Sequence, residues 1–364
     1  MNPNSTLNSW LQNSGEYQAG KTFEYVMNKY GLNRDQIIRL AGNESTIGTS
    51  PLAIAAAKEV AANSNYYDEP YSESLMERLE NNFAKRGFDM NKLGVVVGNG
   101  MDSVIDHLLM LFCSEQNSIV NYTPTFIYYD FAAARRGIEI IEVKRSEPVS
   151  SLAQAVKDNS KIVFLCSPNN PTGDAIAVNE IEALAKELLA QNIILFIDHA
   201  YIEFAIPSYD CSGLVEQYPN IVIGYTFSKA YAMAGYRVGY ALMSRELKSK
   251  YLKFCTPFLC SRPSLAAAKA ALEDREHLQK IIDNNIQGKA YLITELEKLG
   301  YQARTSQANF LLFETTKPAT EVLETLMSKG IIIRAMPSVS ERALRVTIGK
   351  AAENQAFIKA LADV

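Results

Sequence analysis

Lys161-Ile162-Val163-Phe164-Leu165-Cys166 runs directly into Ser167-Pro168-Asn169-Asn170-Pro171-Thr172-Gly173. The first half is short, unbroken and rich in β-branched and aromatic residues, the mark of a strand buried on both faces. The second half is a turn crowded with proline, asparagine and glycine, so the strand stops abruptly and displays polar side chains at its carboxyl end. Runs of the same texture lie on both sides: Gly94-Val95-Val96-Val97, Ser118-Ile119-Val120, Ile138-Glu139-Ile140-Ile141, Ile193-Ile194-Leu195-Phe196-Ile197 and Ile221-Val222-Ile223-Gly224. Helical patterns separate most of them, and Ser50-Pro51 supplies an N-cap and first-turn proline to one alanine-rich helix. Strands alternating with helices predict an α/β fold built on a mainly parallel sheet.

Beyond about residue 255 the texture changes. Long helical stretches alternate with Asn309-Phe310-Leu311-Leu312-Phe313, Ile331-Ile332-Ile333 and Leu344-Arg345-Val346-Thr347, the pattern of a smaller α/β domain. The expected division is an N-terminal segment 1–46, a large domain 47–255 and a small domain 256–364.

Composition narrows the function. A net charge of -4 with about a fifth of the residues charged suggests neither a nucleic-acid partner nor an anionic membrane surface. Five cysteines, Cys113, Cys166, Cys211, Cys255 and Cys260, show no CxxC spacing, which fits free thiols in a reducing cytoplasm. No apolar leader or membrane-length stretch is evident. The three histidines, His107, His199 and His277, are too scattered for a recognisable metal motif, so no metal is expected.

In open α/β sheets ligands gather at the carboxyl ends of the parallel strands, and several runs end in pointed chemistry. Residues 94–97 lead into Gly98-Asn99-Gly100-Met101-Asp102-Ser103 and then a helix, 161–166 into Ser167-Pro168-Asn169-Asn170, 193–197 into Asp198, and 221–225 into Thr226-Phe227-Ser228-Lys229. A lysine at such a place suits imine chemistry with a carbonyl cofactor once its surroundings lower its pKa. A glycine turn opening a helix offers N–H groups and a positive helix end to a phosphate, which Thr226, Ser228 and Arg237 complete. An aspartate ending a buried strand pairs with a protonated ring nitrogen.

With SPNNPTG at 167–173, Asp198-x-Ala200-Tyr201, TFSKAYAMAGYRVGY at 226–240, SQANFLLF at 306–313 and LRVTIG at 344–349, the chain resembles the fold-type I pyridoxal-phosphate aminotransferases, in their histidinol-phosphate aminotransferase branch. The resemblance implies a seven-stranded large sheet, pyridoxal 5'-phosphate as cofactor, a small-molecule amino-acid substrate and a homodimer with shared sites. It makes Lys229 the Schiff-base lysine and α-proton carrier, and Asp198 the ring-nitrogen partner. Asn170 and Tyr201 fall on the cofactor's phenolic oxygen, and Phe126 on its ring face. Gly100, Met101, Asp102, Thr226, Ser228 and Arg237 fall around its phosphate, with Tyr67 reaching in from a second subunit. Arg345 and Asn43 correspond to contacts on the substrate carboxylate side, and Arg334 to a substrate-phosphate contact.

Some positions depart from that pattern. His199 stands where a glutamate usually follows the ring-pairing aspartate, and is expected to tune cofactor protonation or relay protons. Gly100-Met101-Asp102-Ser103 and Tyr66-Tyr67-Asp68 are also nonstandard. Glu16, beside Tyr17 in a segment that folds over the substrate in similar proteins, suits a cation such as guanidinium. These departures resemble a small offshoot of dioxygen-consuming arginine oxidases. The expectation they carry is an external aldimine and quinonoid formed with L-arginine, oxidation by O2 as cosubstrate to an unsaturated or hydroxylated 2-ketoacid, and release of ammonia. The alternatives are a transaminase for histidinol phosphate or an aromatic amino acid with 2-oxoglutarate, and a catalytically silent binding protein of the same fold.

Overall fold

The computed structural model describes Asn8, Trp10 and residues 20–364. The first regular elements are α1 (Phe23–Tyr30), the short strand β1 (Ile38–Arg39), α2 (Pro51–Ala61) and α3 (Glu73–Lys85). Ser50 caps α2 as its sequence predicts, its hydroxyl accepting from the N–H groups of Leu52 and Ala53 at 3.1 and 3.3 Å.

The large sheet and its helices then alternate along the chain. They run β2 (Leu93–Asn99), α4 (Gly100–Phe112), β3 (Ser118–Thr123), α5 (Tyr128–Ala134), β4 (Glu139–Lys144), α6 (Ser151–Gln154), β5 (Ser160–Cys166), α7 (Val178–Ala190), β6 (Ile194–Asp198), β7 (Ile221–Thr226) and β8 (Val238–Ser244). The strand order is β2-β8-β7-β6-β5-β3-β4. All neighbours are parallel except β8, which runs antiparallel to both β7 and β2. The mainly parallel seven-stranded sheet is therefore present, and its central strands β5, β6 and β7 are buried on both faces, while the edge strand β4 is partly exposed.

Strand parity divides the core. On β6, Leu195 and Ile197 enter one hydrophobic cluster, together with Val163, Leu165, Ile223 and Tyr225. Phe196 enters the other, with Phe164, Cys166, Val222 and Tyr129. The strand ends fall level: Cys166 pairs with Asp198, and Asp198 with Gly224. Thr226 and Gly239 pair across β7 and β8, so residues 227–238 form a connection at this same edge.

Beyond the sheet lie α8 (Arg245–Phe254), α9 (Arg262–Glu273), α10 (Arg275–Lys298), β9 (Phe310–Glu314), α11 (Ala319–Ser328), β10 (Ile331–Ile332), β11 (Arg334–Ala335), β12 (Ala343–Thr347) and α12 (Ala351–Leu361). The small antiparallel sheet β11-β12-β9 has its own core. Strand β1 pairs in parallel with β10 in a separate two-stranded sheet, and Leu40 and Ile331 beside it enter the same core. The packing does not divide at residue 255. Leu265, Ala267, Ala268 and Ala271 of α9 lie in the large-domain core beside Ala53 and Ala57 of α2, where small side chains let two helices approach closely. Helix α10 then bridges the layers, with Ile281 in a large-sheet cluster and Leu292 and Leu296 in the small-domain core. Among the described residues, no helix is long and apolar enough to cross a membrane.

Candidate active site

The carboxyl edge of the large sheet carries the buried polar groups. Asp198, at the end of β6, is 1 % exposed and both of its oxygens are engaged. Oδ1 accepts from the Ala200 N–H at 2.8 Å, and Oδ2 accepts from the Tyr129 hydroxyl at 2.6 Å. Burial lifts its pKa to about 6, against the pull of those two donors; Asp102 adds to the rise and Lys229 opposes it.

Lys229 follows β7, with its Nζ donating to the Gly42 carbonyl at 3.0 Å. Loss of solvation, with the Arg345 guanidinium nearby, brings its pKa down to about 8 against the opposing carboxylates of Glu44 and Asp102. An appreciable neutral fraction at pH 7–8 makes the amine able to attack a carbonyl and to accept a proton.

A second knot joins the two domains. Asn43, in the left-handed region at φ 54°, donates from Nδ2 to the Tyr201 hydroxyl at 2.9 Å and from its backbone N–H to Thr347 Oγ1 at 2.9 Å. Arg345, on β12, donates to Asn170 Oδ1 and to the Ala41 carbonyl, the latter at 2.8 Å, and its guanidinium sits 5.2 Å from the Phe310 ring. Burial raises the Tyr201 pKa above the usual phenol range, so the hydroxyl stays protonated at neutral pH. Arg334 lies directly opposite Arg345 in the β11–β12 register, which sets both side chains on one face of the small sheet.

The start of α4 forms a cradle. Gly100 has φ 73°, and a Cβ there would stand 2.7 Å from Arg237 Nη2. A Cβ on Gly239 would meet the Met101 backbone nitrogen at 2.3 Å. Both glycines are thus required for the helix start, β8 and Arg237 to converge. Met101 turns its side chain into the core under Gly224, leaving its backbone at the helix start. Arg237 Nη2 donates to Asp102 Oδ2 at 2.8 Å, and Thr226 and Ser228 lie on the neighbouring turn, where the Ser228 N–H donates to Thr226 Oγ1 at 3.1 Å. Helix N–H groups, two hydroxyls and a guanidinium are the donor set of a phosphate monoester. With a carboxylate for a ring nitrogen at Asp198 and a lysine between them, these residues fit pyridoxal phosphate.

Phe126 lies in the loop after β3, 5.7 Å edge-on to Tyr129. Asn169 holds that loop against the β5 turn: its Nδ2 donates to the Pro124 carbonyl at 3.0 Å, and its Oδ1 accepts from Thr125 Oγ1 at 3.0 Å. Neither Asn169 nor Tyr129 was expected from sequence to serve the site. Asn169 carried a signal, since it adjoins Asn170 in a turn. Tyr129 meets Asp198 only through the tertiary fold.

Two expected positions stand apart. His199 is completely buried on the opposite face of the sheet from Asp198, because successive residues of an extended strand point to opposite sides. Its ring meets Tyr225 edge-on at 5.6 Å, and its Nε2 lies 3.3 Å from Cys211 Sγ. Burial lowers its pKa to about 4, with Asp210 opposing and Arg86 adding to the fall. The expectation that it tunes the cofactor or relays protons at the site is corrected on this geometry. Tyr67 is 81 % exposed, its ring tilted at 38° to that of Phe258 with centroids 4.7 Å apart, outside this chain's buried strand-end cluster. Glu16 and Tyr17 lie outside the described residues.

The model of the family "Aminotransferase class I and II" matches residues 35–361. The chain is 36 % identical over 358 residues to a histidinol-phosphate aminotransferase of Methanococcoides burtonii, covering 96 % of each. It is 34 % identical over 361 residues to the one from Symbiobacterium thermophilum, covering 98 % of each. Among solved structures, a Sinorhizobium meliloti histidinol-phosphate aminotransferase in complex with pyridoxal-5'-phosphate aligns with a TM-score of 0.87 at 24 % identity, covering 99 % of this chain and 97 % of that one. Aspartate aminotransferase from Thermus thermophilus with maleate gives 0.81 at 18 % identity, covering 98 % and 99 %. These relatives from Methanococcoides and Symbiobacterium, with one from Methanosarcina mazei 35 % identical over 353 residues, are histidinol-phosphate aminotransferases matched over 93 % or more of their length, which overturns the expectation of an O2-dependent arginine oxidase.

Proposed function

The chain belongs to the class I and II aminotransferases, which depend on pyridoxal phosphate, and on that premise we propose that it moves the amino group of histidinol phosphate to 2-oxoglutarate, leaving the corresponding ketone and glutamate. The observation that carries this reading is the pairing of Arg334 with Arg345 on one face of the small sheet. Two guanidiniums suit substrates with anionic ends: a phosphate monoester in one half-reaction and a dicarboxylate in the other.

When bound, the cofactor supplies a carbonyl that exchanges the amine and a ring that accepts the electrons left when the substrate C–H bond breaks. Around it, Gly100, Met101, Thr226, Ser228 and Arg237 would hold the phosphate, while Asn170 and Tyr201 would hold the phenolic oxygen. Phe126 would lie against the ring and exclude water. Asp198 would hold a proton between its carboxylate and the ring nitrogen. Lys229, part neutral at pH 7–8, would anchor the group and, once displaced by the substrate amine, would take up the substrate's proton at Nζ and return it. Arg345 orients the carboxylate of 2-oxoglutarate, and Arg334 the distal anion of either substrate.

Exposed aromatics support a homodimer. Tyr66 and Tyr67 are largely exposed, with Phe254 and Phe258 also on the surface, more large apolar area than a lone subunit comfortably leaves in water. Its five cysteines, all free, suit a reducing cytoplasm.

Purified protein given histidinol phosphate and 2-oxoglutarate should form glutamate without consuming oxygen. Absence of glutamate, with turnover of an uncharged or cationic amine instead, overturns the assignment. Arg334→Gln should raise KM for histidinol phosphate by about tenfold or more while changing kcat little.

A further inference from the structure

We infer that Tyr129 is a positioning residue of the reaction, its hydroxyl fixing the orientation and charge of the Asp198 carboxylate that faces the cofactor's ring nitrogen. The inference rests on cofactor binding and is independent of which amine the enzyme accepts.

Tyr129 starts the second position of α5 and contributes no exposed surface. Its ring is stacked on Phe164 of β5 at 4.7 Å and 14° between planes, and Phe126 abuts it at 5.7 Å and 88°. Clamped between a strand residue and the aromatic that borders the cofactor, the ring has no room to swing its hydroxyl away from Asp198 Oδ2, 2.6 Å distant. One side of Tyr129 therefore touches Phe126 and its end touches Asp198, so a single side chain ties the ring-covering residue to the ring-nitrogen partner.

Chemistry fixes the direction of that bond. Burial, and next the Asp198 charge, raise the Tyr129 pKa well above 10, so the phenol stays protonated and donates. The groups facing Asp198 are few. From β5 comes Cys166, a neutral thiol whose pKa burial likewise raises; after β7 comes Lys229; from the start of α4 comes Asp102; beyond Asp198 itself come the Ala200 N–H and the Tyr201 phenol, which stays protonated. Lys229 and Asp102 act in opposite directions on its charge. That leaves the Tyr129 hydroxyl and the Ala200 N–H as the direct donors that hold the carboxylate ionised against burial. Only the first comes from another element, and only it can be removed by a side-chain change.

Tyr129→Phe keeps both ring contacts and deletes the donor. The cofactor dissociation constant, measured by equilibrium dialysis of the full-length protein, should rise about ten- to a hundredfold, as for loss of a hydrogen bond to a charged group. In an Asp198→Asn background the same change should have little further effect, since no carboxylate remains to be held. A second reading needs no cofactor. With cofactor removed, the protein loses stability as pH rises through the Asp198 titration, and Tyr129→Phe should move the midpoint of that loss to higher pH. Equal weakening of cofactor binding in both backgrounds would mark Tyr129 as a packing residue and overturn the inference, as would an unmoved midpoint. Failure of the variant to fold without cofactor at any pH would do the same. Loss of transamination with histidinol phosphate alone, with these readouts as expected, would count against the substrate assignment and leave Tyr129 in place.

Discussion

On the face of the large sheet that carries Asp198, both carboxylate oxygens have short, well-aimed donors. On the opposite face, one residue later, His199 has one weak polar contact, to a thiol, and an Nδ1 with no hydrogen-bond partner among the described residues. Nearby lie Tyr225, whose hydroxyl also finds none among them, and Glu203, whose Oε2 finds none and whose pKa burial raises to about 8. Buried polar groups are normally satisfied, because each unsatisfied one costs about 1–3 kcal/mol. One face spends its buried polarity on an organised ionic site. The other carries polar groups with fewer hydrogen-bond partners among the described residues.

This contrast predicts a hierarchy of effects. Lys229→Ala removes the amine on the ordered face and should lower kcat by at least about 10³-fold, with loss of any absorbance band due to a lysine-linked cofactor. Asp198→Asn keeps the shape but loses the charge, and should cost about 10²- to 10³-fold in kcat, measured by glutamate formation. His199→Leu acts on the other face. It should leave kcat/KM within about threefold, about 0.6 kcal/mol of transition-state stabilisation. Stability at neutral pH should change by about 1 kcal/mol or less, because a poorly satisfied polar group is exchanged for an apolar one. A tenfold loss of kcat/KM in His199→Leu would erase the distinction between the faces.

The same contrast explains what was legible in the sequence. Central strands such as Lys161–Cys166 announce themselves because burial on both faces writes continuous β-branched runs. Strand β8 does not, since Val238-Gly239-Tyr240-Ala241 is broken by a glycine that its packing against Met101 demands. Lys229, Asp198, Asn170 and Arg237 were legible from the turns that follow or precede strands of the large sheet, and Arg345, in the middle of β12, only through the motif that resembles the family. The place of His199 was also legible and was misread: a residue following a strand-end aspartate in extended chain must point to the opposite face. The departure from family pattern drew attention to a position remote from the chemistry, and with Glu16 it suggested arginine oxidation. Tyr129 left almost no sequence trace. Its aromatic spacing with Phe126 is that of ordinary core, and its partner lies 69 residues away. The facing of Arg334 and Arg345 was equally hidden, because β11 has only two residues and no periodicity to read.

The sharpest form of the comparison is a difference in the sign of two pH dependences. Asp198 has its pKa raised to about 6 by burial, against an ordinary value of 3.8. Below the ordinary value both folded and unfolded carboxyls are protonated. As pH rises towards 6 the unfolded chain ionises first, so this residue's contribution to stability falls across that window. His199 has its pKa lowered to about 4 by burial, against 6.5. Above 6.5 both states are neutral, and as pH falls towards 4 the unfolded chain takes up the proton first, so its contribution is lost on acidification. Each shift is worth about 3 kcal/mol at most. In the cofactor-free protein the two slopes oppose one another between about pH 4 and pH 6. Asp198→Asn should therefore leave a protein that loses stability more steeply as pH falls through this range, and His199→Leu one that loses it more steeply as pH rises. Chemical denaturation at half-unit pH intervals reads both slopes. If the two variants change the slope in the same direction, the two faces do not differ in the way their hydrogen bonds imply.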